Sequence, residues 1–135
     1  LPSGGKLHTV DIDNNKNKIA KIFFKKAKVQ KKITTEISNC NVALDKLLKN
    51  KKKYDLIFID ADKENYINYF DKSLKLLNKN GLLIIDNVLW KGEVVNENAK
   101  DKLTKKIKKF NTHVKKTKIN KYILPIGDGF YICWK

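Results

Sequence analysis

Two short stretches carry side chains that could do chemistry together. Ile57-Phe58-Ile59-Asp60-Ala61-Asp62-Lys63 passes from apolar residues straight into charge, and Leu82-Leu83-Ile84-Ile85 runs into Asp86 and Asn87. A third stretch, Val10-Asp11, also ends an apolar run in acid. Neighbouring strands lie roughly 4.8 Å apart. If the strands ending at Asp60 and Asp86 are neighbours, their carboxylates converge, and two like charges so close repel unless a cation sits between them. Asn87 adds a neutral oxygen. Two carboxylates and an amide, with no Cys or His, suit a hard divalent cation such as Mg²⁺ or Ca²⁺. Asp11, at the end of the second strand of a nucleotide-type fold, would accept hydrogen bonds from ribose hydroxyls.

These acids need a scaffold, and hydrophobic periodicity supplies one. Residues 6–12 read as a short strand ending in acid. Residues 15–28 place Ile19, Ile22, Phe23 and Ala27 at helical spacing. Residues 33–37 are a β-branched strand, and 41–49 a helix through Val42, Leu44, Leu47 and Leu48. Residues 55–60 form a continuous apolar run, which predicts a strand buried on both faces. A helix follows over 64–78, with Tyr66, Ile67, Phe70, Leu74 and Leu77 on one face, ended by Asn80-Gly81. Residues 82–86 are a second buried strand. Residues 98–116 read as a helix through Ala99, Leu103, Ile107, Phe110 and Val114. The tail, 121–135, reads as two strands around Gly127-Asp128-Gly129, a hairpin signal. Alternation of strand and helix predicts an α/β fold: one domain with a mostly parallel sheet, helices on both faces and an antiparallel C-terminal hairpin.

The chain has 135 residues, 41% of them hydrophobic, enough to fill a core. No apolar run approaches the roughly 18 residues of a membrane span, and no signal peptide opens the chain, so a cytoplasmic location with no membrane partner is the expectation. Cys40 and Cys133 show no metal-ligand spacing and are expected to pack as small apolar groups. His8 and His113 likewise suggest no zinc site. The net charge of +16 invites a nucleic-acid reading. However, all 30 basic residues are lysine, and a surface selected for phosphate and guanine would normally carry arginine. Lys and Asn share A-rich codons, so most of the charge is attributed to an AT-rich genome.

The block DLIFIDADKENYINYFDKSLKLLNKNGLLIIDNVLWKGEVV resembles the centre of the cation-dependent O-methyltransferases of the caffeoyl-CoA and catechol type. The tail YILPIGDGFYICWK resembles their closing hairpin, and LPSGGKLHTVDID their second strand with its lead-in. The resemblance implies a Rossmann-like, class I methyltransferase fold that uses S-adenosylmethionine and a divalent cation to methylate a hydroxyl on a catechol-like small molecule. Carried over residue by residue, it implies Asp60, Asp86 and Asn87 as metal ligands and Lys63 as the base. It further implies Asp11 on the ribose of the cofactor, Cys40 at its adenine, Asp60 also at the cofactor, and Tyr69 and Trp90 lining the acceptor pocket. A homodimer is the expected assembly.

There are departures from the family pattern. Ser38-Asn39-Cys40 stands where Gly-Pro-Ala is usual, and Lys91 replaces a small or polar residue after the tryptophan. The family's first strand and glycine-rich loop would precede Leu1, and the chain holds no methionine. The expectation is therefore a C-terminal two-thirds of the family's fold, which alone binds the cofactor weakly and self-associates through unpaired strand edges.

Plainer readings stand beside these. Asp60 and Asp86 are then strand-end caps, Asp62 a helix-start cap, and Lys63 one solvated lysine among many. Tyr69 is a surface tyrosine, Trp90 a cover for the sheet edge, and Asp128 turn chemistry alone. Two further functional readings are an inactive fragment of the same fold acting as an interaction module, and a basic RNA-binding module.

Overall fold

Strand and helix alternate along the chain as the periodicity predicts. The structure, a computed structural model, describes residues 1–135. In order, the elements are β1 (Leu7–Asp11), α1 (Asn14–Lys26), β2 (Ile33–Ile37), α2 (Cys40–Lys49), β3 (Tyr54–Ile59), α3 (Tyr66–Leu76), β4 (Leu77–Ile85), α4 (Lys102–Lys116), β5 (Asn120–Leu124) and β6 (Phe130–Trp134). Short 3-10 turns cover Gln30–Lys32, Lys63–Asn65 and Trp90–Val95. No helix is long and apolar enough to cross a membrane.

The chain divides into two compact units, Leu1–Lys46 and Leu47–Lys135. In the first, β1 and β2 pair in parallel, Leu7 opposite Ile33 through Asp11 opposite Ile37. Asp13 caps α1, its carboxylate accepting the Asn15 and Lys16 amides. That satisfies two of the amide groups a helix start leaves free. The apolar residues of α1 find little cover: Ile19, Ile22 and Phe23 are each more than half exposed.

The second unit has a four-stranded sheet in the order β3-β4-β6-β5. β3 and β4 are parallel, and β6 runs antiparallel to both β4 and β5. Paired residues share a face, so Leu83, Ile85, Tyr131 and Cys133 lie together, and all are buried. α3 and α4 both cover this face. Phe110 of α4 meets Tyr66, Phe70 and Tyr131 edge to face, at ring separations of 5.3, 6.0 and 6.2 Å. Burial raises the Cys133 thiol pKa to about 11, as befits an inert apolar filler.

Two expectations need correction here. β3 is not buried on both faces: Ile59 is buried, but Leu56 and Phe58, which alternate with it, are 55% and 53% exposed. The run is uniformly apolar, yet α3 and α4 cover only one face, and β3 is an edge strand. β1 likewise pairs with β2 alone. Second, Asn80-Gly81 does not end a helix. α3 stops at Leu76, and Leu77 already belongs to β4. The pairing slips between Tyr54 opposite Leu77 and Leu56 opposite Leu82, so Asn80, with φ of 63°, and Gly81 form a bulge inside the strand. A Cβ on Gly81 would fall 2.8 Å from the Leu77 side chain, which is why glycine sits there.

Candidate active site

The parallel register places Ile59 opposite Ile85, so the next residues, Asp60 and Asp86, leave neighbouring strands at the same level. The Asp86 amide continues the ladder, donating to the Ile59 carbonyl at 3.0 Å. The sequence made this adjacency a condition, and the pairing meets it. Asp86 Oδ1 accepts the Asn87 amide at 2.6 Å. Asn87 takes a left-handed backbone, φ 60°, which asparagine tolerates better than most residues.

Lys63 is no solvated lysine. Its side chain is 12% exposed. Nζ donates to Asp60 Oδ1 at 3.0 Å and to the Tyr66 hydroxyl at 2.7 Å, and it sits 4.8 Å from the Tyr66 ring centre. Tyr66 in turn donates to the Asp86 backbone carbonyl at 3.2 Å. Burial, then the Asp60 and Asp86 charges, holds the Tyr66 phenol well above its ordinary pKa, so it stays protonated.

Asp62 occupies the cap position of the Lys63–Asn65 turn, but its carboxylate caps no backbone amide. It accepts instead from the Tyr69 hydroxyl and from Asn65 Nδ2, both at 2.5 Å. Tyr69 is thus not a surface residue. It is 2% exposed and holds Asp62 from within the core. Trp90 is half-buried and opens the Trp90–Val95 turn in a left-handed conformation, φ 48°, with a kink at Lys91 and Gly92.

Asp128 does more than make a turn. One carboxylate oxygen accepts the Lys91 amide, and the other accepts Asn87 Nδ2 at 3.4 Å. The hairpin tip also binds the loop through its backbone, the Val88 amide donating to Gly129 at 3.1 Å and the Leu89 amide to Asp128 at 2.9 Å. Because Asn87 Nδ2 faces Asp128, its Oδ1 is the amide atom left for a cation. The Asp-Gly signal marked the turn, but nothing local to it revealed a partner 41 residues earlier.

No three His, Cys, Asp or Glu side chains cluster as a metal-binding group. The set here is two acids and an amide. All its donors are oxygen, on adjacent strand ends, which fits a hard divalent cation.

Asp11 and Cys40 belong to the first unit. Asp11 ends β1, and one of its oxygens accepts the Asp13 amide at 2.8 Å. Its carbonyl accepts the Ser38 amide at 3.1 Å, so the turn leading to Cys40 starts at the same end of this small sheet. Cys40 opens α2 and is half-buried.

The family model described as O-methyltransferase matches residues 1–135. A caffeoyl-CoA O-methyltransferase of Stellaria longipes is 34% identical over 98% of this chain and 59% of its own length. The catechol O-methyltransferase domain-containing protein 1 of Mus musculus is 30% identical over 100% of this chain and 53% of its own. The crystal structure of an O-methyltransferase from Bacillus cereus in complex with SAH superposes with a TM-score of 0.88 at 27% identity, covering 100% of this chain and 65% of that one. The chain thus spans little more than half the length of the curated relatives it matches. The α/β architecture, the mixed sheet with antiparallel C-terminal strands and these similarities agree, and the chain belongs to the O-methyltransferase family of the caffeoyl-CoA and catechol type.

Proposed function

We propose that residues 1–135 serve as one methyltransferase domain that transfers a methyl group from S-adenosylmethionine to a hydroxyl of a small, catechol-like molecule, with the help of a divalent cation. The observation that carries the reading is the register of β3 and β4, which sets Asp60 beside Asp86 and Asn87, with Lys63 hydrogen-bonded to Asp60. Asp60, Asp86 and Asn87 would hold the cation. Bound there, it would make an acceptor hydroxyl more acidic. Lys63 takes the proton as the O–H bond breaks. The oxygen's electron pair then bonds the methyl carbon, and the methyl–sulfur bond breaks with its pair returning to sulfur. Positioning supplies most of the rate. Asp11 has an oxygen free of the Asp13 amide to accept from the ribose hydroxyls of the methyl donor, and Cys40 would border its adenine. Trp90 is the proposed wall of the acceptor pocket, and Tyr69 acts there through Asp62, which it holds.

The test is Asp86→Ala in the protein as its gene encodes it. Cation-dependent turnover and calorimetric Mg²⁺ binding should both be lost, while S-adenosylmethionine still binds. Full activity of the parent protein in excess chelator would overturn the metal reading.

A further inference from the structure

Tyr66 is the first residue of α3 and is 1% exposed, with its ring edge-on to Phe110 at 5.3 Å. Its hydroxyl lies between the Lys63 ammonium at 2.7 Å and the Asp86 carbonyl at 3.2 Å. A carbonyl oxygen can only accept, so the single phenol proton goes to Asp86. The phenol oxygen must then accept from Lys63. Asp60 Oδ1 accepts a second Nζ hydrogen at 3.0 Å. Lysine Nζ has three positions besides its bond to Cε. Two of them are taken by these fixed partners, and one remains.

We propose that Tyr66 is a positioning residue for Lys63: its buried hydroxyl, anchored on the backbone of the strand that carries Asp86, fixes Nζ so that its one remaining position serves the acceptor hydroxyl. A flexible four-carbon side chain would otherwise spread Nζ over many rotamers. The anchor is the backbone carbonyl of one proposed metal ligand, Asp86, and the second Nζ partner is another, Asp60, so the base and the cation ligands share one frame. The inference rests on Lys63 acting as the base.

Tyr66→Phe keeps the ring against Phe110 and beneath the ammonium and removes only the hydroxyl. In the gene-encoded protein, kcat should fall tenfold or more, with the acceptor KM and S-adenosylmethionine affinity unchanged within twofold. Against a Lys63→Ala background, the same change should lower kcat no further. A measurement free of turnover accompanies these. In proton–nitrogen correlation spectra of the lysine ammonium groups, the Lys63 signal, slowed in exchange by its two fixed acceptors, should vanish in Tyr66→Phe. A Tyr66→Phe protein with parental kcat beside an impaired Lys63→Ala would overturn the proposal for Tyr66 alone. So would an equal loss of kcat in both backgrounds, which marks a structural effect. Full turnover by Lys63→Ala would overturn the base reading itself, and with it this proposal.

Discussion

The two units of this chain hold apolar residues in similar patterns and use them differently. In Leu47–Lys135, Phe70, Phe110, Leu83 and Ile85 are completely buried. In Leu1–Lys46, only Asn17 and Ala43 are buried, and Phe23 remains 59% exposed. The difference lies in architecture. Four strands with two helices on one face enclose a core, whereas two strands and their helices do not, and two-stranded sheets are marginal alone. Helical spacing of apolar residues thus shapes α1, but it does not by itself supply a partner for the face it makes.

Core truncation separates the units most sharply. Phe110→Ala removes a ring that touches Tyr66, Phe70 and Tyr131, and should cost about 3–5 kcal/mol in urea unfolding. Phe23→Ala should change stability by no more than about 0.5 kcal/mol. A comparable cost for both would show that α1 has a covered face after all.

A pair of glycines gives a smaller contrast. Gly129 has φ 78°, and a Cβ there would lie 2.4 Å from Leu89. Gly129→Ala should therefore cost about 1–3 kcal/mol through overpacking beyond the backbone strain. Gly4 has φ 80° with nothing within 4 Å of its would-be Cβ, so Gly4→Ala should show strain alone, about 1 kcal/mol. Equal losses in thermal melts would mean that Leu89 yields freely.

The smallest effect concerns acid. The Thr104 amide, donating to Asp101 at the start of α4, holds that carboxyl below its usual pKa. A depressed folded pKa stabilises above the unfolded value and is lost as pH falls through the folded one. Asp101→Asn should thus be slightly less stable than the parent at pH 7, and the gap should shrink as pH falls below about 4. A gap of undiminished size at about pH 3 would show that the contribution is not ionic.

What could be read beforehand follows the same division. β2 falls at Ile33–Ile37 as periodicity predicts, and β3 within a residue of it, because both depend on local pattern. The Asn80-Gly81 signal identified a special backbone, but whether that backbone ends a helix or bulges a strand depends on β3, far away in sequence. Exposure of Leu56 and Phe58 depends on which elements lie opposite, which no window along the chain contains. Of the candidate site, Asp60, Asp86 and Asn87 were legible as strand ends. The partners that hold them were less so. Tyr66 looked like one more core residue on its helix, and Asp128 like a turn former, because the hydrogen bonds that give them further roles cross 20 and 41 residues.

The hairpin tip clamps the Asn87–Lys91 loop from 41 residues downstream. Synthesis proceeds at roughly 5–20 residues per second. Asn87 therefore leaves the peptidyl-transferase centre roughly 2–8 s before Asp128 exists. Until then the Asn87 side-chain amide lacks the Asp128 carboxylate that accepts from it. Orientation of that amide therefore waits for the closing hairpin, whereas the bonds among Asp60, Lys63, Tyr66 and Asp86 need no residue beyond Asp86.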